Sequence, residues 1–88
     1  MKWVEMIRVR SLPGQLDAVI PQLEAQLAEL SCETQLLRHG VYDGDLAALL
    51  IWRDGTPRQS AEGALIAERL QRHGSTDHAV WIPTVQHP

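Results

Sequence analysis

Residues 73–81 read HGSTDHAVW, which places His73, Asp77, His78 and Trp81 within nine positions. A histidine beside a carboxylate can accept or deliver a proton near neutral pH, and imidazoles in pairs can hold a metal ion. Two further histidines, His39 and His87, stand far off along the chain. Zinc sites announce themselves by tight ligand pairs, and no such spacing occurs here, so the sequence predicts no bound metal and no cofactor. The lone Cys32 follows Leu30-Ser31 at the predicted end of a helix, where the dipole disfavours a thiolate, and it reads as inert. What remains is a pocket lined by amphipathic groups. Its candidates are Trp52, Arg8, His39, Tyr42 and Trp81, since a cation beside an indole can orient an anionic or aromatic ligand. The competing reading is packing: tryptophans fill the core, while Arg8 extends over the surface or pairs with Glu5.

Whatever chemistry these residues perform, the chain that positions them is short. Eighty-eight residues are expected to make a single domain, 1–88. A domain of this size buries only about 60–65% of its unfolded surface, so a partner subunit would add needed area. The composition is 44% hydrophobic and 22% charged, with a net charge of −3, which is ordinary globular usage. The eight Lys and Arg are scattered, so there is no electrostatic footprint for nucleic acid. Charges interrupt the apolar run MKWVEMIRVR, which reads as neither signal peptide nor membrane span. A single cysteine fits a reducing compartment, and a cytoplasmic protein is expected.

The elements follow from periodicity. Residues 3–10 are too short for a helix before Pro13 and rich in β-branched and apolar side chains, so they form a first strand. Leu16, Val19, Ile20, Leu23, Leu27 and Leu30 then fall on one helical stripe. Pro21 would break the middle of that helix, so the spacing requires either a late start, with Asp17 as N-cap, or a kink. Residues 33–42 and 45–53 flank Asp43-Gly44, a dipeptide suited to a type I′ turn, and Gly40 suggests a bulge. Thr56-Pro57-Arg58-Gln59 reads as a capping box opening a second helix that runs to His73. A last strand covers residues 77–82.

The order βαββαβ is the ferredoxin-like plan: a four-stranded antiparallel α+β sheet with two helices on one face. Such a sheet leaves its other face open and should alternate apolar and polar residues. The third strand does not. Leu46, Ala48, Leu50 and Trp52 point one way, Ala47, Leu49 and Ile51 the other. A second copy laid on the open face would remove several hundred Å² of apolar surface from water at about 25 cal/mol per Å². A homodimer is therefore expected, with Leu46, Ala48, Leu50, His78 and Val80 as interface candidates, and an exchanged strand bringing His78 near His39 of a second copy.

Three pieces carry a family resemblance: a first strand running into Val9-Arg10-Ser11-Leu12-Pro13-Gly14, a long first helix, and a third strand ending Leu50-Ile51-Trp52. Together they resemble the antibiotic-biosynthesis monooxygenases, a family of dimeric α+β barrels. The resemblance implies a homodimer whose sheets close into a barrel, with a pocket between sheet and helices in each subunit. It also implies cofactor-independent oxygenation of an aromatic small molecule, or haem degradation. The haem-degrading branch uses an Asn, a Trp and a His, and the polyketide oxygenases an Asn with their Trp. This chain contains no asparagine, Trp52 alone stands at a matching position, and Glu62 falls near the place of the helix-two histidine. A second resemblance, through Pro13-Gly14-Gln15-Leu16, is to ACT-type regulatory domains and implies a non-catalytic ligand-binding module.

Overall fold

The computed structural model describes residues 2–84 of the chain. Six elements follow in order: β1 (Trp3–Arg10), α1 (Ile20–Ala28), β2 (Glu33–Arg38), β3 (Asp45–Trp52), α2 (Ala61–Gln71) and β4 (Ser75–Trp81). The strands form one antiparallel sheet in the order β2-β3-β1-β4, so β1 and β3 are central and β2 and β4 are edges. This is the α+β, ferredoxin-like arrangement.

Strand alternation divides the sheet's two faces. On β1 the odd residues Trp3, Glu5, Ile7 and Val9 are buried, while Val4, Met6, Arg8 and Arg10 occupy the other side. Register aligns Ile7 with Ala48 and His78, and Glu5 with Leu50 and Val80, so these residues share the buried face. Leu23 and Leu27 of α1 and Ile66 and Leu70 of α2 join the same core cluster, which puts both helices on that face.

Local chemistry moved several boundaries. Helix α1 does start late and holds Pro21 in its first turn, where no amide donor is needed, but Val19 precedes it as N-cap in place of Asp17. Helix α2 is capped by Ser60, whose Oγ accepts from the Gly63 amide at 3.0 Å, so the Thr56-Pro57 segment lies in the preceding loop. The helix stops at Gln71, short of His73, whose carbonyl accepts from the Ser11 hydroxyl at 2.7 Å.

Between β2 and β3, residues 39–44 form a longer loop than the type I′ hairpin expected. Of Asp43 and Gly44 only Gly44 has a positive φ, +108°, and a type I′ turn needs two. Gly40 sits in this loop and makes no bulge. A side chain at Gly44 would also collide with the Ser11 backbone, so the loop's return depends on that glycine. The last strand begins two residues early, at Ser75, and ends at Trp81.

Candidate functional site

The alternation that buries Trp3, Ile7 and Val9 also buries Glu5, which is 0% exposed at the centre of the sheet. An ionised carboxylate in that position must be hydrogen-bonded on every side. It is. Trp52 Nε1 donates to Oε1 at 2.8 Å. The Ser60 amide donates to Oε2 at 3.1 Å, and His78 Nε2 lies 2.6 Å from the same oxygen. Each partner comes from a different element: β3, the N-cap of α2 and β4. The first turn of α2 adds the positive end of its dipole beside the carboxylate.

Burial pushes the Glu5 carboxyl up, but the hydrogen bonds from Ser60, His78 and Trp52 outweigh it and hold Glu5 below the ordinary carboxylate value. Close approach of the helix makes this cluster possible. Gly63, in the first turn of α2, faces it, and a methyl group there would overlap Glu5 Oε2 and press on His78 Nε2. Trp3 closes one side: its ring stacks on Trp52 with centroids 5.6 Å apart, its N–H donates to the Asp54 carbonyl, and the Arg58 guanidinium lies 5.8 Å above it.

Beside Trp52 a groove of about 330 Å³ opens to solvent, lined by Ser31, Cys32, Glu33, Ile51, Trp52, Arg53 and Asp54. Its walls combine an indole, an apolar side chain, the carboxylates of Glu33 and Asp54 and the Arg53 guanidinium, which lies 3.8 Å from Glu33, a lining that suits a flat ligand bearing a hydroxyl. Cys32 is half-buried here; burial, and then the negative charges of Glu62 and Glu5, push its thiol up, so it is a poor nucleophile.

Of the residues expected from sequence to line a pocket, Trp52 alone stands at this site. Arg8 lies exposed on the opposite sheet face, across from Ala47 and Asp77, because even positions of β1 point away from the helices. His39 and Tyr42 belong to the loop after β2, where His39 Nδ1 accepts the amides of Val41 and Tyr42 at 3.0 Å and the two rings sit 5.0 Å apart. Trp81, 57% exposed, also faces the open side, opposite Val4.

The expected interface set needs a similar correction. Leu46, Ala48 and Leu50 are buried beneath the helices within the single chain, at 0–3% exposure. His78 and Val80 share their face, and the His78 imidazole is engaged by Glu5 within the chain. The apolar residues left on the open face of the central strands are Val4, Met6, Ala47, Leu49 and Ile51, with Arg8, Arg10 and Asp45 at one end of it. Among the described residues no three His, Cys, Asp or Glu side chains come together as a metal site, and His87 lies outside them.

Sequence reasoning missed Glu5, Ser60, Gly63 and Trp3. A signal for Glu5 was present: it is the one charged residue in the alternating set Trp3, Glu5, Ile7, Val9.

The chain has a ferredoxin-like α+β fold. Two solved structures of SnoaB, a cofactor-independent oxygenase from Streptomyces nogalater, share it. An asparagine-to-alanine variant of SnoaB aligns with a TM-score of 0.63 at 17% identity, covering 99% of this chain and 97% of that one. A second SnoaB structure gives a TM-score of 0.58, again at 17% identity, over 99% and 95% of the two chains. No family model and no curated protein matches the sequence. No helix among the described residues is long and apolar enough to cross a membrane.

Proposed function

We propose that this chain works as a homodimer that binds an aromatic small molecule in the groove beside Trp52 and oxygenates it without a cofactor. The observation that carries this reading is the groove of about 330 Å³ at the indole, in a fold shared over nearly the whole chain with a cofactor-independent oxygenase. In such chemistry the substrate supplies the electrons. A hydroxylated aromatic loses a proton, the resulting anion passes one electron to O₂, and the radical pair recombines to a peroxide. The peroxide takes that proton back, and loss of water leaves a carbonyl where a ring C–H stood, with the second oxygen atom leaving as that water. Glu33 and Asp54 are the carboxylates on the groove wall that can take the proton.

One specific observation favours a non-catalytic ligand-binding role instead. The groove is open to solvent, and the buried carboxylate of Glu5 is fully engaged by Trp52, Ser60 and His78, leaving no enclosed, water-free chamber beside Trp52. Oxygen uptake on an electrode, run beside binding measurements with a panel of hydroxylated polycyclic aromatics, separates the two. Binding with stoichiometric O₂ consumption supports the oxygenase. Binding without uptake leaves the ligand-binding role, and no binding overturns both.

The homodimer rests on the open face. Val4 and Met6 of β1 and Ala47, Leu49 and Ile51 of β3 form an apolar strip there, continued by Leu37 and Trp81 on the edges. A second copy of the same sheet is the occupant that matches it in size and character.

A further inference from the structure

The groove and the far edge strand are joined through one side chain. Trp52 lines the groove, and its N–H is held by Glu5 Oε1. The other oxygen of Glu5 is held by His78, which comes from β4 and does not line the groove, and by the Ser60 amide at the start of α2. The carboxylate thus has two ends, one fixing the indole and one fixed by the imidazole. Trp52 has no second hydrogen-bonding group, so its indole plane is set by this bond and by the stack on Trp3.

We propose that Glu5 and His78 are positioning residues for the ligand groove: His78 holds the Glu5 carboxylate, and Glu5 in turn fixes the Trp52 indole on which an aromatic ligand stacks. This rests on the reading of the groove as the ligand site. Affinity there then depends on a histidine two strands away. The charged and titratable groups facing the cluster are His78 from β4, Glu62 from the first turn of α2, Cys32 ahead of β2, and Arg58 above Trp3. Of these, His78 alone touches the carboxylate.

Full-length chain labelled with 5-fluorotryptophan gives three fluorine resonances, one per tryptophan, assigned by Trp→Phe replacement, and 2-naphthol serves as the aromatic probe. His78→Leu is expected to move the Trp52 resonance while leaving that of Trp81, and to weaken 2-naphthol binding by about tenfold, the value of one charge-assisted hydrogen bond. His78→Gln, whose amide can donate from nearly the same place as Nε2, is expected to restore both. A role in packing alone would make the two variants differ by volume and leave the Trp52 resonance where it was.

Should His78→Leu not fold, His78→Asn carries the same test: its shorter amide keeps a polar group on β4 but does not reach Glu5 Oε2 from the place of Nε2, so the Trp52 resonance moves. An unmoved Trp52 resonance in folded His78→Leu or His78→Asn overturns the positioning role. If 2-naphthol leaves the Trp52 resonance of the unsubstituted chain unmoved while His78→Leu shifts it, the positioning chain stands and the groove is not the ligand site.

Discussion

His78 Nε2 approaches Glu5 Oε2 to 2.6 Å although the two residues lie 73 positions apart, near opposite ends of the chain. The contact joins the strand formed first in sequence to the one formed last, and α2 crosses over it with Gly63 in between. A buried carboxylate held this way is stable only as part of a complete set. Its partners also depend on it, since Trp52 and Ser60 would otherwise bury unpaired N–H groups.

Replacing Glu5 therefore tests the fold directly. Glu5→Ala removes the acceptor for the Trp52 and Ser60 N–H groups and the partner of His78, and is expected to destabilise the chain by about 3 kcal/mol or more. Urea unfolding followed by tryptophan fluorescence measures it. A loss under about 1 kcal/mol, within the range of surface substitutions and small repacking, would show that the cluster contributes little.

Acid should act on the same residue. The folded-state value of Glu5 lies below its unfolded value near 4.5. Its contribution is therefore fully present above the unfolded value and is lost as pH falls through the lower folded value. The urea midpoint is expected to drop below about pH 4.5, and the drop should be shallower in Glu5→Gln, which has no carboxylate to protonate. Equal acid slopes in the two chains would contradict it.

Gly63→Ala gains helix propensity of up to about 1 kcal/mol in an ordinary helix. Here the added methyl overlaps the Glu5 carboxylate and the His78 ring. Net destabilisation of about 1–3 kcal/mol is expected, as for overpacked cores. Gly40→Ala is the control, since its Cβ would meet nothing within 4 Å. A thermal melt of each, read by circular dichroism, decides between them.

Leu49→Lys probes the open face. Leu49 stands between Met6 and Gln35 on the side away from the helices, so a charge there spares the core. Light scattering of the unsubstituted chain should give twice the 9.9 kDa chain mass, and the variant should fall to the single-chain mass with its secondary structure retained. A 9.9 kDa unsubstituted chain at micromolar concentration would remove the homodimer.

Much of the fold was legible because it is written in local periodicity. The apolar stripe from Leu16 to Leu27 marked α1, and the all-apolar third strand marked a sheet in need of cover on both sides. Turn chemistry was less legible. Asp43-Gly44 has the composition of a type I′ turn, yet the loop closes differently because Gly44 must pass close to the Ser11 backbone, a contact from outside the hairpin. Thr56-Pro57 imitates a helix start, but Ser60 wins because its own amide is drawn to Glu5.

The order of elements and the tryptophan at the end of β3 could be read from the residues alone, since both depend on spacing along the chain. Which face each residue serves depends on the assembled sheet. Period-two alternation sorts a strand into two sets without saying which set the helices cover, and that choice sent Arg8 and Trp81 away from Trp52 and buried Leu46, Ala48 and Leu50, while His39 fell in the loop beyond β2. It also brought Glu5, Trp52, Ser60 and His78 together from four elements. Hydrogen bonds between residues 47 to 73 positions apart leave no trace in local pattern, because their partners become neighbours only when the sheet is assembled.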